Sequence, residues 1–125
     1  MLYYNQKRKG EKKMTAIDFT QLSYHAMVER KDRIEQIEKT ISFGTPIIEM
    51  EDTSNNTMKV LTSTGVIVIW SLNNKSIVTM FVASVNQALS FYNRKRGEEP
   101  YKMPRQLWLM VNYNNNTYYW QKISR

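Results

Sequence analysis

Two apolar segments separated by three residues constrain this chain more than anything else in it. Residues 66–72 read Val-Ile-Val-Ile-Trp-Ser-Leu and residues 76–82 read Ser-Ile-Val-Thr-Met-Phe-Val, with Asn73, Asn74 and Lys75 between them. Both have strand length and are rich in β-branched and aromatic side chains. Asparagine tolerates the positive φ of a tight turn, so the pair predicts an antiparallel hairpin. The hairpin is apolar on nearly every residue instead of on alternate ones. Both of its faces therefore need cover, from a helix on each side or from a partner on one.

The neighbouring residues extend this plan. Residues 57–62 alternate Met58, Val60 and Thr62 against Lys59 and Leu61, and Thr64-Gly65 turns them into the next segment. That predicts a third strand of a meander, with a weak strand over residues 46–51 before it. Over residues 19–41, Phe19, Leu22, Ala26, Ile34, Ile37 and Ile41 recur at helical steps. The pattern fits one continuous helix or two that break near Lys31. Asp32 and Glu35 have the spacing of a capping box, and Gly44 with Pro46 ends the region. Ser84 caps a helix over residues 85–96, with Val85, Ala88, Leu89 and Tyr92 as its buried stripe and Gly97 as its stop. Residues 104–125 remain open. Pro104 at a first helical position favours a helix, while Asn114, Asn115 and Asn116 suit the turn of a hairpin. The expected class is α+β: an N-terminal helix or helix pair on an antiparallel meander of three to four strands, then a helix, then a helix or hairpin.

The chain of 125 residues suits a single domain over residues 14–125, and Met14 is an alternative start. Residues 1–13 carry a net +4 of the chain's +7, and they read as a solvated, disordered tail or as a phosphate-binding arm. No apolar run approaches the length of a membrane span, and no secretory signal is visible, so a cytoplasmic protein without membrane contact is expected. With no cysteine and one histidine, disulfides, thiolate chemistry and a structural zinc site drop out. No cofactor motif is present among only four glycines. Glu49, Glu51 and Asp52 form an acidic turn that reads as a solvated loop. The positive charge favours nucleic acid or an acidic protein as partner.

His25 is the one imidazole available to move a proton near neutral pH. On a continuous helix Arg33 would share its side, eight residues on. A guanidinium beside an imidazole suits phosphodiester chemistry, because it clamps phosphate and offsets charge in the transition state. Arg30 falls within the apolar stripe and points either outward at a helix break or into a cleft. A second basic cluster comprises Arg94, Lys95, Arg96, Lys102 and Arg105. It reads as helix-end charge or as a patch that tracks phosphates. Tyr92, Tyr101, Trp108, Tyr113, Tyr118, Tyr119 and Trp120 are interleaved with it, as in surfaces that stack single-stranded bases.

His25-Ala26, the pair Arg33-Ile34 with Ile37 and Ile41, Gly44, and the hairpin from Gly65 to Val78-Thr79 together resemble small RNase toxin domains of the BECR fold, the barnase, EndoU, colicin and RelE group. The resemblance covers residues 25–82. It implies a metal-independent ribonuclease in which His25 serves as general base or acid, Arg33 holds the scissile phosphate and Thr79 donates a hydrogen bond to it. It also implies an acidic antitoxin or immunity partner. Glu29 departs from the pattern, because many members carry an arginine there; Arg30 comes one residue later. Two non-enzymatic readings stand beside it. One is a basic protein of a phage or mobile element that inhibits a nucleic-acid-processing complex, and the other is a nucleic-acid-binding accessory domain. The apolar hairpin leaves room for a homodimer. Strand alternation places Thr79 on the face of Ile77 and Phe81.

Overall fold

The computed structural model describes residues 17–93 and 103–117. Two helices, α1 (Tyr24–Glu29) and α2 (Lys31–Thr40), precede four strands, β1 (Pro46–Asp52), β2 (Thr57–Thr62), β3 (Val66–Ser71) and β4 (Ser76–Val82). Helices α3 (Val85–Ser90) and α4 (Arg105–Thr117) follow. The strands form one antiparallel sheet in the order β1-β2-β3-β4. This is the expected α+β class, with helices on both sides of the sheet.

The doubly apolar hairpin accounts for that arrangement. Alternate residues of β3 face opposite ways. Val66, Val68 and Trp70 join Val60, Ile77 and Met80 in a core closed by Ala26, Ile34 and Ile37 of α1 and α2. Ile67 joins Leu61 and Ala83 in a second core, closed by Ala88, Phe91, Tyr92, Leu107 and Val111. Each fully buried aliphatic side chain contributes roughly 1.5–3 kcal/mol over leaving it exposed.

Several local expectations are corrected. Residues 19–23 are not helical. Leu22 instead forms a parallel bridge to Ile77 on the outer edge of β4. The Ser23 amide donates to the Ile77 carbonyl at 2.9 Å, and the Ile77 amide donates to the Gln21 carbonyl at 2.7 Å. Edge hydrogen-bonding groups compete with helix there, and Phe19 and Leu22 still reach the first core. Ser23 then caps α1 by accepting from the Ala26 amide. The helix breaks at Arg30, and Asp32 lies inside the first turn of α2, so the expected capping box does not form. Helix α3 is shorter than expected, with residues 94–97 outside the described part; Ser84 and Gln87 make its capping box. In the β3–β4 turn the positive φ falls on Lys75 (φ 51), not on an asparagine.

Residues 105–117, which the sequence left open between helix and hairpin, are helix, and their asparagines bond to the loop carbonyls of Thr64 and Ala83. The buried Asn114 donates through Nδ2 to the Thr64 carbonyl at 3.1 Å. Asn115 donates to the Ala83 carbonyl at 3.0 Å and accepts from the Val85 amide at 3.1 Å. Trp108 donates its amide to the Pro104 carbonyl, which puts Pro104 just before the first turn.

A bulge in β4 matters for the site. Ile69 pairs with Thr79 and Trp70 with Ile77, which leaves Val78 as the extra residue. Ile77 thereby turns to the first core while Thr79 stays with Ile69 and Phe81 on the second face. The expectation that Thr79 shares the face of Ile77 is corrected by this one inserted residue.

The β1–β2 turn is organised by Asp52. Its carboxylate accepts from Asn55 Nδ2 at 2.9 Å and from Ser54 Oγ at 2.8 Å. Those bonds, Asn55's first, hold Asp52 below the ordinary carboxylate range. A depressed acid stabilises the fold above its unfolded value and loses that contribution as pH falls through the folded one. Urea midpoints of the wild type are expected to fall as pH drops below about 4. In Asp52→Asn part of that fall is expected to be missing.

Candidate functional site

Helix α2 lies beside β4 and sends Arg33 over the edge of the sheet. Its Nη1 is 3.3 Å from Thr79 Oγ1 and 3.4 Å from the Met80 carbonyl, both long hydrogen bonds. The contact falls on the outer edge of β4, past the point where Gln21 and Ser23 bond to Ile77. Partial burial pushes the Arg33 guanidinium below its ordinary value, and the positive charge of Arg30 adds to the effect. Among the described residues neither arginine has a carboxylate within ion-pair distance. Arg30 caps the break between α1 and α2 and donates to the Glu29 carbonyl at 3.3 Å. The site therefore holds two neighbouring cations, one partly desolvated, with no carboxylate among the described residues within ion-pair distance of either. Such a site has a strong electrostatic preference for an anion, and a guanidinium in particular for phosphate.

His25 sits on α1, and its side chain is 43% exposed. Nδ1 lies 3.6 Å from Glu29 Oε2, one helical turn on. The ring forms no hydrogen bond with Arg30, Arg33 or Thr79 among the described residues. Glu29, which departs from the RNase toxin pattern, is thus the histidine's neighbour. A carboxylate beside one ring nitrogen orients the imidazole and leaves the other free for a ligand.

The sequence candidates therefore divide. Arg33, Thr79 and Arg30 come together; His25 stands on the adjoining helix with Glu29. Arg94, Lys95, Arg96 and Lys102 lie outside the described residues, as do Tyr101, Tyr118, Tyr119 and Trp120. Arg105 is exposed at the start of α4, where the helix dipole does not favour a cation. Tyr92 is buried, which raises its phenol above the ordinary value. Trp108 and Tyr113 of α4 keep 40% and 56% exposure.

Sequence reasoning missed Glu29 as the partner of His25, although its four-residue spacing on a helix was a usable signal. It also passed over Lys59, a cation in a strand otherwise built for the core. The acidic turn splits: Glu49 and Glu51 face the side opposite Asp52, and no cluster of metal-ligand side chains forms among the described residues. No described helix is long and apolar enough to cross a membrane.

No known protein family, curated protein or solved structure matches the chain.

Proposed function

We propose that the protein is an RNA-binding, toxin-like ribonuclease that cleaves without a metal ion, through the ribose 2′-hydroxyl. The observation that carries the reading is the uncompensated Arg33 guanidinium held at the Thr79 hydroxyl, with Arg30 beside it. Arg33 holds the scissile phosphate and Thr79 donates a hydrogen bond to it. His25, oriented by Glu29, moves a proton at the reacting oxygens. The 2′-oxygen attacks phosphorus as its proton leaves, and the bond to the 5′-oxygen breaks as that oxygen gains a proton. The products are a 2′,3′-cyclic phosphate and a 5′-hydroxyl end. An acidic antitoxin or immunity protein would neutralise the same cations.

One observation favours a second reading, a non-enzymatic basic inhibitor of a nucleic-acid-processing complex. Tyr24, Met27 and Val28 form an exposed stripe on α1, with 80%, 53% and 59% of their surface accessible. An apolar stripe beside two arginines also suits a protein partner. Incubation of total RNA with the purified protein in EDTA separates the two. Fragments ending in cyclic phosphate are expected. Intact RNA in the presence of folded protein would overturn the ribonuclease and favour the inhibitor.

A further inference from the structure

On the second face of the sheet the fully buried cluster ends, within the strands, at Leu61 and Ile67. The next row across the sheet is Met50, Lys59, Ile69 and Thr79, one residue from each strand and in direct register. All four are only partly buried. Lys59 and Thr79 stand two strand spacings apart, roughly 10 Å, with Ile69 between them. At the Thr79 end the row meets the Arg33 guanidinium. Asp52 stands on the same face, diagonal to Lys59, and its oxygens accept from Ser54 and Asn55. Lys59 has no carboxylate in ion-pair distance among the described residues.

The row therefore carries Ile69 and Thr79 between two cations, Lys59 and Arg33, with Met50 beyond Lys59, and among the described residues neither cation has a carboxylate partner. Its charge is complementary to a polyanion. A duplex would offer it phosphates but no base face, and Met50 and Ile69 would stay uncovered. An unpaired strand offers both: phosphates toward Lys59 and Arg33, and an unstacked base over the aliphatic side chains. We infer that this row is a bed for single-stranded RNA and that Lys59 is a phosphate-binding residue in it. The inference rests on the ribonuclease reading for the position of the scissile phosphate at Arg33.

The test uses a fluorescein-labelled 2′-O-methyl oligoribonucleotide, which lacks the attacking hydroxyl and so stays intact. Fluorescence anisotropy is measured with the single strand and with its duplex, across a salt series, for the full-length wild type, Lys59→Gln and Lys39→Gln. Lys39 is an exposed cation on the outer side of α2 and serves as the charge-matched control. The wild type is expected to bind the single strand about ten-fold more tightly than the duplex. Lys59→Gln is expected to bind about five-fold more weakly, with the slope of log K against log salt reduced by about 0.7, the loss of one phosphate contact. Lys39→Gln is expected to change neither. Equal binding of duplex, equal effects of the two lysine variants, or no binding at all would overturn the bed. RNA cleavage by the wild type alongside unchanged binding by Lys59→Gln would overturn the bed and leave the ribonuclease standing. Binding that depends on Lys59 without cleavage would support the bed and overturn the chemistry.

Discussion

Replacing Gly44 by alanine is expected to lower the unfolding free energy by about 2–5 kcal/mol, enough to lower Tm by roughly 10 °C or more. Gly44 has φ +76, and an added Cβ would sit 2.7 Å from Thr64 Oγ1 and 2.9 Å from the Thr64 amide nitrogen. The left-handed backbone costs a side chain about 1–2 kcal/mol. Overpacking against a fixed neighbour costs about 1–3 kcal/mol more. That neighbour has little freedom. The Thr64 hydroxyl donates to the Ser42 carbonyl at 3.1 Å, and Thr45 and Ser63 are joined through the Ser63 amide and hydroxyl. Ser42 itself has φ 77, so two of three successive loop residues already lie in that region. The segment carries the chain from α2 into β1 while pinned to the β2–β3 turn, and it cannot shift without moving one of them. Gly65→Ala is the comparison. Its φ is +86, but its nearest contacts are the Val111 and Asn114 side chains at 3.2 and 3.3 Å, longer than those at Gly44. Urea denaturation is expected to rank Gly44→Ala as the more damaging; a loss below about 1 kcal/mol would show that the clamp relaxes.

The parts of this fold that were legible in the sequence are those fixed by burial. A hairpin apolar on both faces needs two covering layers, and it has them. The helical stripe from Ala26 to Ile37 needs one face of the sheet, and it packs there. What the sequence hid is where polar groups choose between equivalent partners. Asn114 and Asn115 suit a turn as well as a helix end, and the choice is made by the carbonyls of Thr64 and Ala83, far away in sequence. Leu22 keeps its helical spacing while its backbone joins an edge strand. The bulge at Val78 has no local signature, yet it decides which face Thr79 occupies. For the candidate site, the meeting of Arg33 and Thr79 was implied only by a resemblance, and nothing in their spacing required it. Lys59 stands out in the sequence as a cation alternating with Leu61 in an otherwise apolar segment, but its place in the row became clear only with the strand register.

Replacing His25 by alanine is expected to lower the rate of RNA cleavage by about 10²- to 10⁴-fold, the usual worth of a positioned proton carrier. The change should fall on kcat and leave binding of the 2′-O-methyl oligonucleotide almost unaltered, because the proposed site holds the phosphate through Arg33 and Lys59 and not through the imidazole. The fold is a weak confounder. The ring is 43% exposed on a six-residue helix whose buried contact is Ala26, so thermal unfolding is expected to move little. Arg33→Ala is a poorer probe, since it would remove the phosphate clamp and also release the Met80 carbonyl at the sheet edge. Glu29→Gln completes the argument. Nδ1 of His25 lies 3.6 Å from the Glu29 carboxylate. If that carboxylate only orients the ring, the neutral amide is expected to cost about ten-fold in kcat with KM unchanged, comparable to losing a supporting partner of a histidine ligand. Full activity in His25→Ala would mean that the proton moves elsewhere. The proton-carrying role given to His25 would then fall, while cleavage at the Arg33–Thr79 clamp would stand.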